Sequence, residues 1–192
     1  MTALILGLIV FLGVHSVRVY ADAWRTGMRA QIGENPWKGA YSLASIAGFV
    51  LIVWGYGQAR LSPVPLLAPM LWTRHLTALL MLLSFILLAA TYVPKNGLKA
   101  RLHHPMVLGV KVWALAHLLA NHTLADLVLF GSFLVWAVLS YRAARQRDRA
   151  AGTVYPAGTA VGTVATLVVG SAAWAVFAFW AHLALFGVRP LG

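Results

Sequence analysis

Cysteine is absent from this 192-residue chain, and acids nearly so: Asp22, Glu34, Asp126 and Asp148 are the only four. Without thiols there is no disulfide framework, iron–sulfur cluster, thiolate zinc site or covalent C-x-x-C-H haem attachment. So few carboxylates leave six-oxygen sites for magnesium or calcium without ligands. A di-iron carboxylate bundle needs several Glu residues, and only Glu34 is present. Charged residues make up 10% of the chain and apolar ones 61%, against about 25% and 45–50% in a soluble domain. With a mean hydropathy of +0.80, that balance excludes a soluble enzyme and a disordered chain. The length suits one domain, taken as residues 1–192.

What the chain does carry is basic charge, 15 Lys and Arg for a formal net charge of +11. In a soluble protein that surplus points to nucleic acid. Here the cations flank apolar stretches and form no basic stripe, so no nucleic-acid partner is expected. They read as the positive-inside bias of a multi-pass membrane protein.

A crossing helix needs about 20 mainly apolar residues. Six candidates are present: Thr2–Val19, Gly39–Gly57, Met70–Val93, Pro105–Asn121, Leu124–Tyr141, and one starting near Ala160 inside the uncharged run Ala150–Val188. The fourth and fifth are short. Arg18, Arg25, Arg29 and Lys38 border the first loop, Lys95, Lys99, Arg101 and Lys111 the third, and Arg142, Arg145, Arg147 and Arg149 the fifth. Thus 12 of the 15 cations fall on odd-numbered loops. Six spans place those loops on one side, the cytoplasmic one, and both termini on the other. The expectation is an all-α bundle of six transmembrane helices. Ala21-Asp22-Ala23 has the form of a signal-peptidase site, but no basic region precedes the apolar run, so cleavage is not expected.

Local signals refine this outline. Asn35-Pro36 and Pro94-Lys95-Asn96-Gly97 read as turns that stop helices. Leu61–Pro69, with three prolines among apolar residues, is expected along the outer interface. Thr123 and Asp126 resemble a capping box that opens the fifth span. That gives Asp126 a structural role in preference to proton relay. Gly158, Gly162, Thr166 and Gly170 recur every four residues, a small-residue stripe suited to close helix packing in lipid.

The chemical signal is seven histidines. Ionisable groups inside a membrane are costly and are functional candidates by default. His103, His104 and His122 fall in loops, where solvent or headgroup contact accounts for them. His182 lies near the end of the sixth span, where a structural hydrogen bond suffices. His15, His75 and His117 lie inside apolar segments and together suggest a buried site. With neither thiolates nor acids, the ligands are imidazoles, which leaves bis-histidine haem b or a histidine-bound zinc or copper ion. The apolar, aromatic-rich surroundings favour haem, with Arg and Lys near the ends pairing its propionates. Counted along their spans, His15 and His117 lie roughly 10 and 18 Å from the inner face, a gap that tilt can close. On depth they form the best axial pair. His75 lies nearer the outer face and His104 nearer the inner one.

Several segments then look familiar. His15-Ser16-Val17-Arg18 closes the first span and Arg74-His75 opens the third. His104-Pro105-Met106-Val107-Leu108-Gly109 leads into Trp113-Ala114-Leu115-Ala116-His117-Leu118-Leu119-Ala120-Asn121. Over most of its length the chain resembles the NnrU family of bacterial membrane proteins, which includes the 15-cis-zeta-carotene isomerases. The resemblance implies a non-covalent b-type haem with His15 and His117 as axial ligands and His104 as a further functional histidine. It implies redox-linked cis–trans isomerisation of a polyene, or an accessory role in denitrification and nitric oxide reductase maturation. It also implies the bacterial cytoplasmic membrane, with a lipophilic molecule or a respiratory complex as partner. The sequence departs from the family pattern at His122, where glycine is usual, at Lys111, and in lacking cysteine, which removes any thiolate ligand switch. A proton-path transporter is a weaker reading, because paired broken half-spans are absent.

Overall fold

The computed structural model describes residues 1–68 and 71–191. The start of the third span at Met70, and Pro69 in the proline-rich loop, lie outside the described residues. The long elements are α1 (Thr2–Tyr20), α3 (Glu34–Leu61), α4 (Leu71–Tyr92), α6 (Pro105–Ala120), α7 (Leu124–Ala150) and α8 (Ala160–Val176). Short helices α2 (Asp22–Ile32) and α5 (Gly97–Leu102) sit in two of the connections. After α8 the helix continues through a π turn (Phe177–Ala181) into α9 (His182–Phe186). Among the described residues there is no sheet, only isolated bridges Pro65–Thr123 and Asn96–Thr159.

The helices pack as a row in the order α3, α1, α7, α6, α4, α8, with α3 also touching α7. Short links make successive long helices antiparallel. One end of the row, the histidine end, carries the N-terminus, the 62–68 segment, the α6–α7 turn and the C-terminal tail. The other, the basic end, carries α2, α5 and the 151–159 segment.

Among the described residues, five helical stretches are long and apolar enough to cross a membrane: α1, α3, α4, α7, and α8 together with its continuation to Phe186. At 16 residues, α6 spans about 24 Å at 1.5 Å per residue, less than a hydrocarbon core of about 30 Å. It nevertheless lies inside the row between α4 and α7. Outward-facing side chains are apolar: Leu43, Ile46, Phe49, Val50 and Val53 form a continuous exposed strip on α3. A soluble monomer rarely exposes apolar patches beyond a few hundred Å², so that face suits lipid.

Three boundaries differ from the sequence expectation. Asn35-Pro36 starts a helix instead of stopping one, because they sit in the first turn of α3, where proline has no backbone hydrogen bond to lose. The first connection is largely the helix α2. The fifth helix runs past Tyr141 to Ala150, since the Arg-, Ala- and Gln-rich segment beyond Tyr141 consists of helix formers. The capping box is present: Asp126 N–H donates to Thr123 Oγ1, and Thr123 N–H donates to Asp126 at 2.9 Å.

Small residues set the helix spacing. A Cβ on Gly7 would lie 2.6 Å from the Ile52 backbone nitrogen, and one on Gly48 would lie 2.7 Å from that of Phe11. Thus α1 and α3 cross backbone to backbone. The α8 stripe is used internally: Thr166 is fully buried and a Cβ on Gly170 would meet the Ile86 backbone at 2.6 Å. In lipid, where apolar burial between helices provides little drive, such close contact supplies the packing energy.

Gly48→Ala should therefore destabilise the detergent-solubilised protein by about 1–3 kcal/mol. Gly13→Ala, with nothing within 4 Å of the added methyl, should be neutral or stabilising by about 0.5–1 kcal/mol. Thermal melts of the two variants check this. Equal Tm values would show that α1 and α3 are not held at backbone contact.

Candidate functional site

At the histidine end, a cavity of about 580 Å³ is enclosed by α3, α6, α7 and the α8 continuation. Tyr56 and Arg60 come from α3, Trp113 and His117 from α6, Phe130 from α7, and Phe177, His182 and Phe186 from the far side. The 62–68 loop forms its roof. Two backbone bonds fix that roof to the α6–α7 turn, Leu66 N–H to the His122 carbonyl (2.7 Å) and Leu124 N–H to the Val64 carbonyl (2.9 Å). Apolar Pro63, Pro65 and Leu67 therefore line the cavity. A second cavity of about 210 Å³ shares His117, Asn121, Phe177 and His182 with the first and adds Arg74, Trp174 and Arg189. His117 and His182 thus stand between two adjoining spaces, with arginines at the margins.

The imidazoles here are oriented. A carbonyl oxygen only accepts, so the short contact from His117 Nδ1 to the Trp113 carbonyl (2.9 Å) makes Nδ1 the protonated nitrogen. The same holds for His182 Nδ1 against the Val188 carbonyl (2.8 Å). Each ring keeps Nε2 as a lone-pair donor, the pattern in which a backbone carbonyl fixes the tautomer of a metal-ligating histidine. His117 is stacked on Phe130 at 4.6 Å and tilted against Trp113 at 5.2 Å. His182 contacts Phe177 and Phe186. The π turn just before His182 accommodates one extra residue, which rotates α9 by about 100° relative to an uninterrupted α-helix.

Asp126 forms the floor beside these rings. It is buried and accepts from Tyr56 Oη at 2.5 Å and from Thr123 at both N–H (2.9 Å) and Oγ1 (2.6 Å). Its lone pairs are committed to joining α3, the α6–α7 turn and α7, which fits the structural role read from the sequence.

The sequence candidates are distributed unevenly. His117 lines both cavities. His15 lines neither. It sits toward the basic end of α1, its Nδ1 donates to the Phe11 carbonyl (2.7 Å), and its ring stacks on Phe11 at 4.2 Å. Phe11 leads to Phe133, Phe133 to Trp113 and Trp113 to His117, with centroid separations of 5.8, 5.4 and 5.2 Å. Packed aromatic rings therefore separate His15 from His117, and His15 lies outside both histidine-end cavities. His75 is exposed on α4 and lines neither of them. His104 caps α6 at the basic end. His182, assigned only a structural bond by sequence reasoning, is the imidazole that joins His117. Its distance from the end of the sixth span is the available signal, since His117 lies at the same level of the fourth.

His104 belongs to a second constellation. Its Nε2 meets Asp148 Oδ2 at 2.8 Å, and the same oxygen accepts from Tyr155 Oη (3.1 Å) and Arg145 (3.3 Å). Tyr141 donates to the Leu102 carbonyl at 3.2 Å. Next to His104, His103 adopts φ +69°, a region costly for a residue with a Cβ. It packs edge-on against Tyr155 at 4.3 Å, and its Nδ1 is buried without a partner. Burial, reinforced by the Arg145 cation and by His104, pushes the His103 imidazole below its ordinary pKa, while Asp148 pulls the other way. Burial, together with the bond to Asp148, raises the Tyr155 hydroxyl. The cluster ties the 151–159 segment to the α5–α6 junction. Among the described residues no group of three or more His, Cys, Asp or Glu side chains is placed to hold a metal ion.

Because the folded state disfavours charged His103, the unfolded chain binds that proton more readily. His103 therefore lowers stability as pH falls below about 6.5 and imposes no penalty well above it. The protection factors of residues 151–159, which correct for the slower intrinsic exchange at low pH, should fall from about pH 7.5 to about 5.5 more in the wild type than in His103→Asn. Identical pH responses would count against this assignment.

A comparison with models of protein families matches residues 3–190 to the family described as NnrU protein. No curated protein matches the chain, and no solved structure does.

Proposed function

The chain belongs to the NnrU family, and from that premise we propose a multi-pass membrane protein that holds a b-type haem without covalent attachment in the His117–His182 cavity and uses it on a lipophilic substrate. The observation that carries this reading is the pair of imidazoles with Nδ1 tied to carbonyls and Nε2 left free at one apolar cavity. The donor set fits the group: two imidazoles, ring walls from Trp113, Phe130, Phe177 and Phe186, and Arg60, Arg74 and Arg189 at the margins for two propionates. A volume of about 580 Å³ lies within the usual range for cofactor sites, about 300–1,000 Å³. Haem held there by His117 and His182 would supply a redox-active iron. The chain's own residues orient the two imidazoles, exclude water with the aromatic walls, and leave a sideways entrance. That entrance lies between α3 and the α8 continuation, which both line the cavity without close backbone packing and are joined across it by the Arg60 side chain donating to the Phe186 carbonyl at 3.3 Å. Cis–trans isomerisation of a polyene is the chemistry that suits such a site.

Within this reading α6 completes six spans. The bacterial cytoplasmic membrane receives the basic end inward, toward which 11 of 15 cations lie, with Lys111 inside α6, and both termini outward.

Visible spectra of the detergent-purified, haem-supplemented protein test the cofactor. His117→Ala and His182→Ala should each abolish the low-spin bands, and His15→Ala should leave them. Absence of a Soret band would overturn the proposal. Loss in His15→Ala with retention in His182→Ala would move the iron to the motif-derived pair His15 and His117. Co-expression with a poly-cis carotene should change its isomer composition. Retained haem with an unchanged carotenoid would favour the accessory role in nitric oxide reductase maturation.

The absence of native cysteine permits a clean topology test. Arg149→Cys should react with impermeant maleimide only after the inner face is exposed, and Leu191→Cys from the outside of intact spheroplasts. The reverse pattern would invert the proposed orientation.

A further inference from the structure

We propose that the pocket enclosed by α1, α2 and α3 at the basic end binds a phosphate-bearing anion, the headgroup of an acidic phospholipid. This site lies apart from the His117–His182 cavity and does not depend on what that cavity holds.

Four cations, Arg18, Arg25, Arg29 and Lys38, line a cavity of about 330 Å³ whose inner wall includes His15 and Tyr41. No carboxylate lines it. Asp22 and Glu34 pair with these cations without lining the cavity. Asp22 is 3.9 Å from Arg18 and 3.4 Å from Arg25, while Glu34 is 3.4 Å from Arg29 and 2.8 Å from Lys38. Two carboxylates against four cations leave a surplus of two positive charges around one concave space. Converging cations of that kind favour a bound anion, and guanidinium forks match phosphate oxygens in geometry.

The arrangement of α2 identifies the source of the anion. Trp24, Met28 and Ile32 recur every four residues along it, and Trp24 and Ile32 face outward, exposed. Arg25 and Arg29 turn inward, with side chains only 23% and 34% exposed. A helix in water would show the opposite arrangement. An outward apolar stripe places α2 flat in the membrane interface. Trp24 and Trp37, edge to face at 5.8 Å, sit where interfacial tryptophans anchor. The inward arginines then meet the pocket at headgroup depth, where basic pockets between helices take acidic headgroups.

Native mass spectrometry of protein extracted and exchanged into phosphatidylcholine with 20% phosphatidylglycerol reads this out. The wild type should retain one phosphatidylglycerol against excess phosphatidylcholine. Arg25→Gln with Arg29→Gln should weaken retention about thirtyfold, at about fivefold per cation. Arg25→Lys with Arg29→Lys should largely restore it, which separates lost charge from misfolding. Arg142→Gln with Arg149→Gln, removing the same charge outside the pocket, should have no effect. Equal retention of the two lipids, or loss in the Arg142/Arg149 variant to the same extent, would overturn the proposal. Release of the lipid by millimolar inorganic phosphate would assign the pocket to a free anion and overturn the lipid source.

Discussion

Helices in lipid gain little from hiding apolar surface against one another, so their contacts depend on closeness and on satisfied polar groups. That constraint governs this molecule. Gly7, Gly48 and Gly55 let α1 and α3 touch at the backbone, and Gly162, Thr166 and Gly170 do the same for α8. The buried polar groups act as fixed joints. Asn96 donates to the Ala90 and Val93 carbonyls and accepts from Lys99 N–H, closing the α4–α5 turn. Asp126 does the equivalent between α3 and the α6–α7 turn. In a chain with four acids, one is spent there and another, Asp148, on the His104–Tyr155–Arg145 cluster.

Much of this is legible in the order of residues. Apolar run lengths locate the long helices, the alternation of cations between loops separates the two ends, and Thr123 with Asp126 announces the cap of α7. Each of these signals is local. What the residue order does not encode is lateral neighbourhood. Nothing in the periodicity of α1 says that it lies between α3 and α7, so depth along the spans is the only guide to which histidines could meet. Depth suggests His15 with His117, but Phe11, Phe133 and Trp113 fill the space between them. The π turn that precedes His182 has no local signature in Phe177-Ala178-Phe179-Trp180-Ala181, and it is the element that leads directly into the second imidazole at the cavity. The basic first loop reads as a topology signal, whereas the turning of Arg25 and Arg29 inward emerges only once α2 has a position.

Orientation of the imidazoles is a shared device. His15, His117 and His182 each hand Nδ1–H to a carbonyl, His15 and His117 to the one four residues back and His182 to the one six ahead. Each presents one basic nitrogen with its direction fixed before any ligand arrives. Little rotational freedom remains to be lost on binding, which is the general advantage of preorganisation.

The roof of the histidine-end cavity carries a consequence for kinetics. Because the 62–68 loop is bonded to the α6–α7 turn at Leu66 and Leu124, it does not swing aside without breaking that pairing. Under the proposed function, access is lateral instead, between α3 and the α8 continuation, where the hydrogen bond from Arg60 to the Phe186 carbonyl is the contact to be parted. A molecule using that route is drawn from the lipid phase, so its occupancy follows its mole fraction in the membrane and not its concentration in water. The partition coefficient then becomes part of the apparent affinity. Of two candidates with equal contacts inside the cavity, the more lipid-soluble one appears the tighter ligand when concentrations are counted in the aqueous phase.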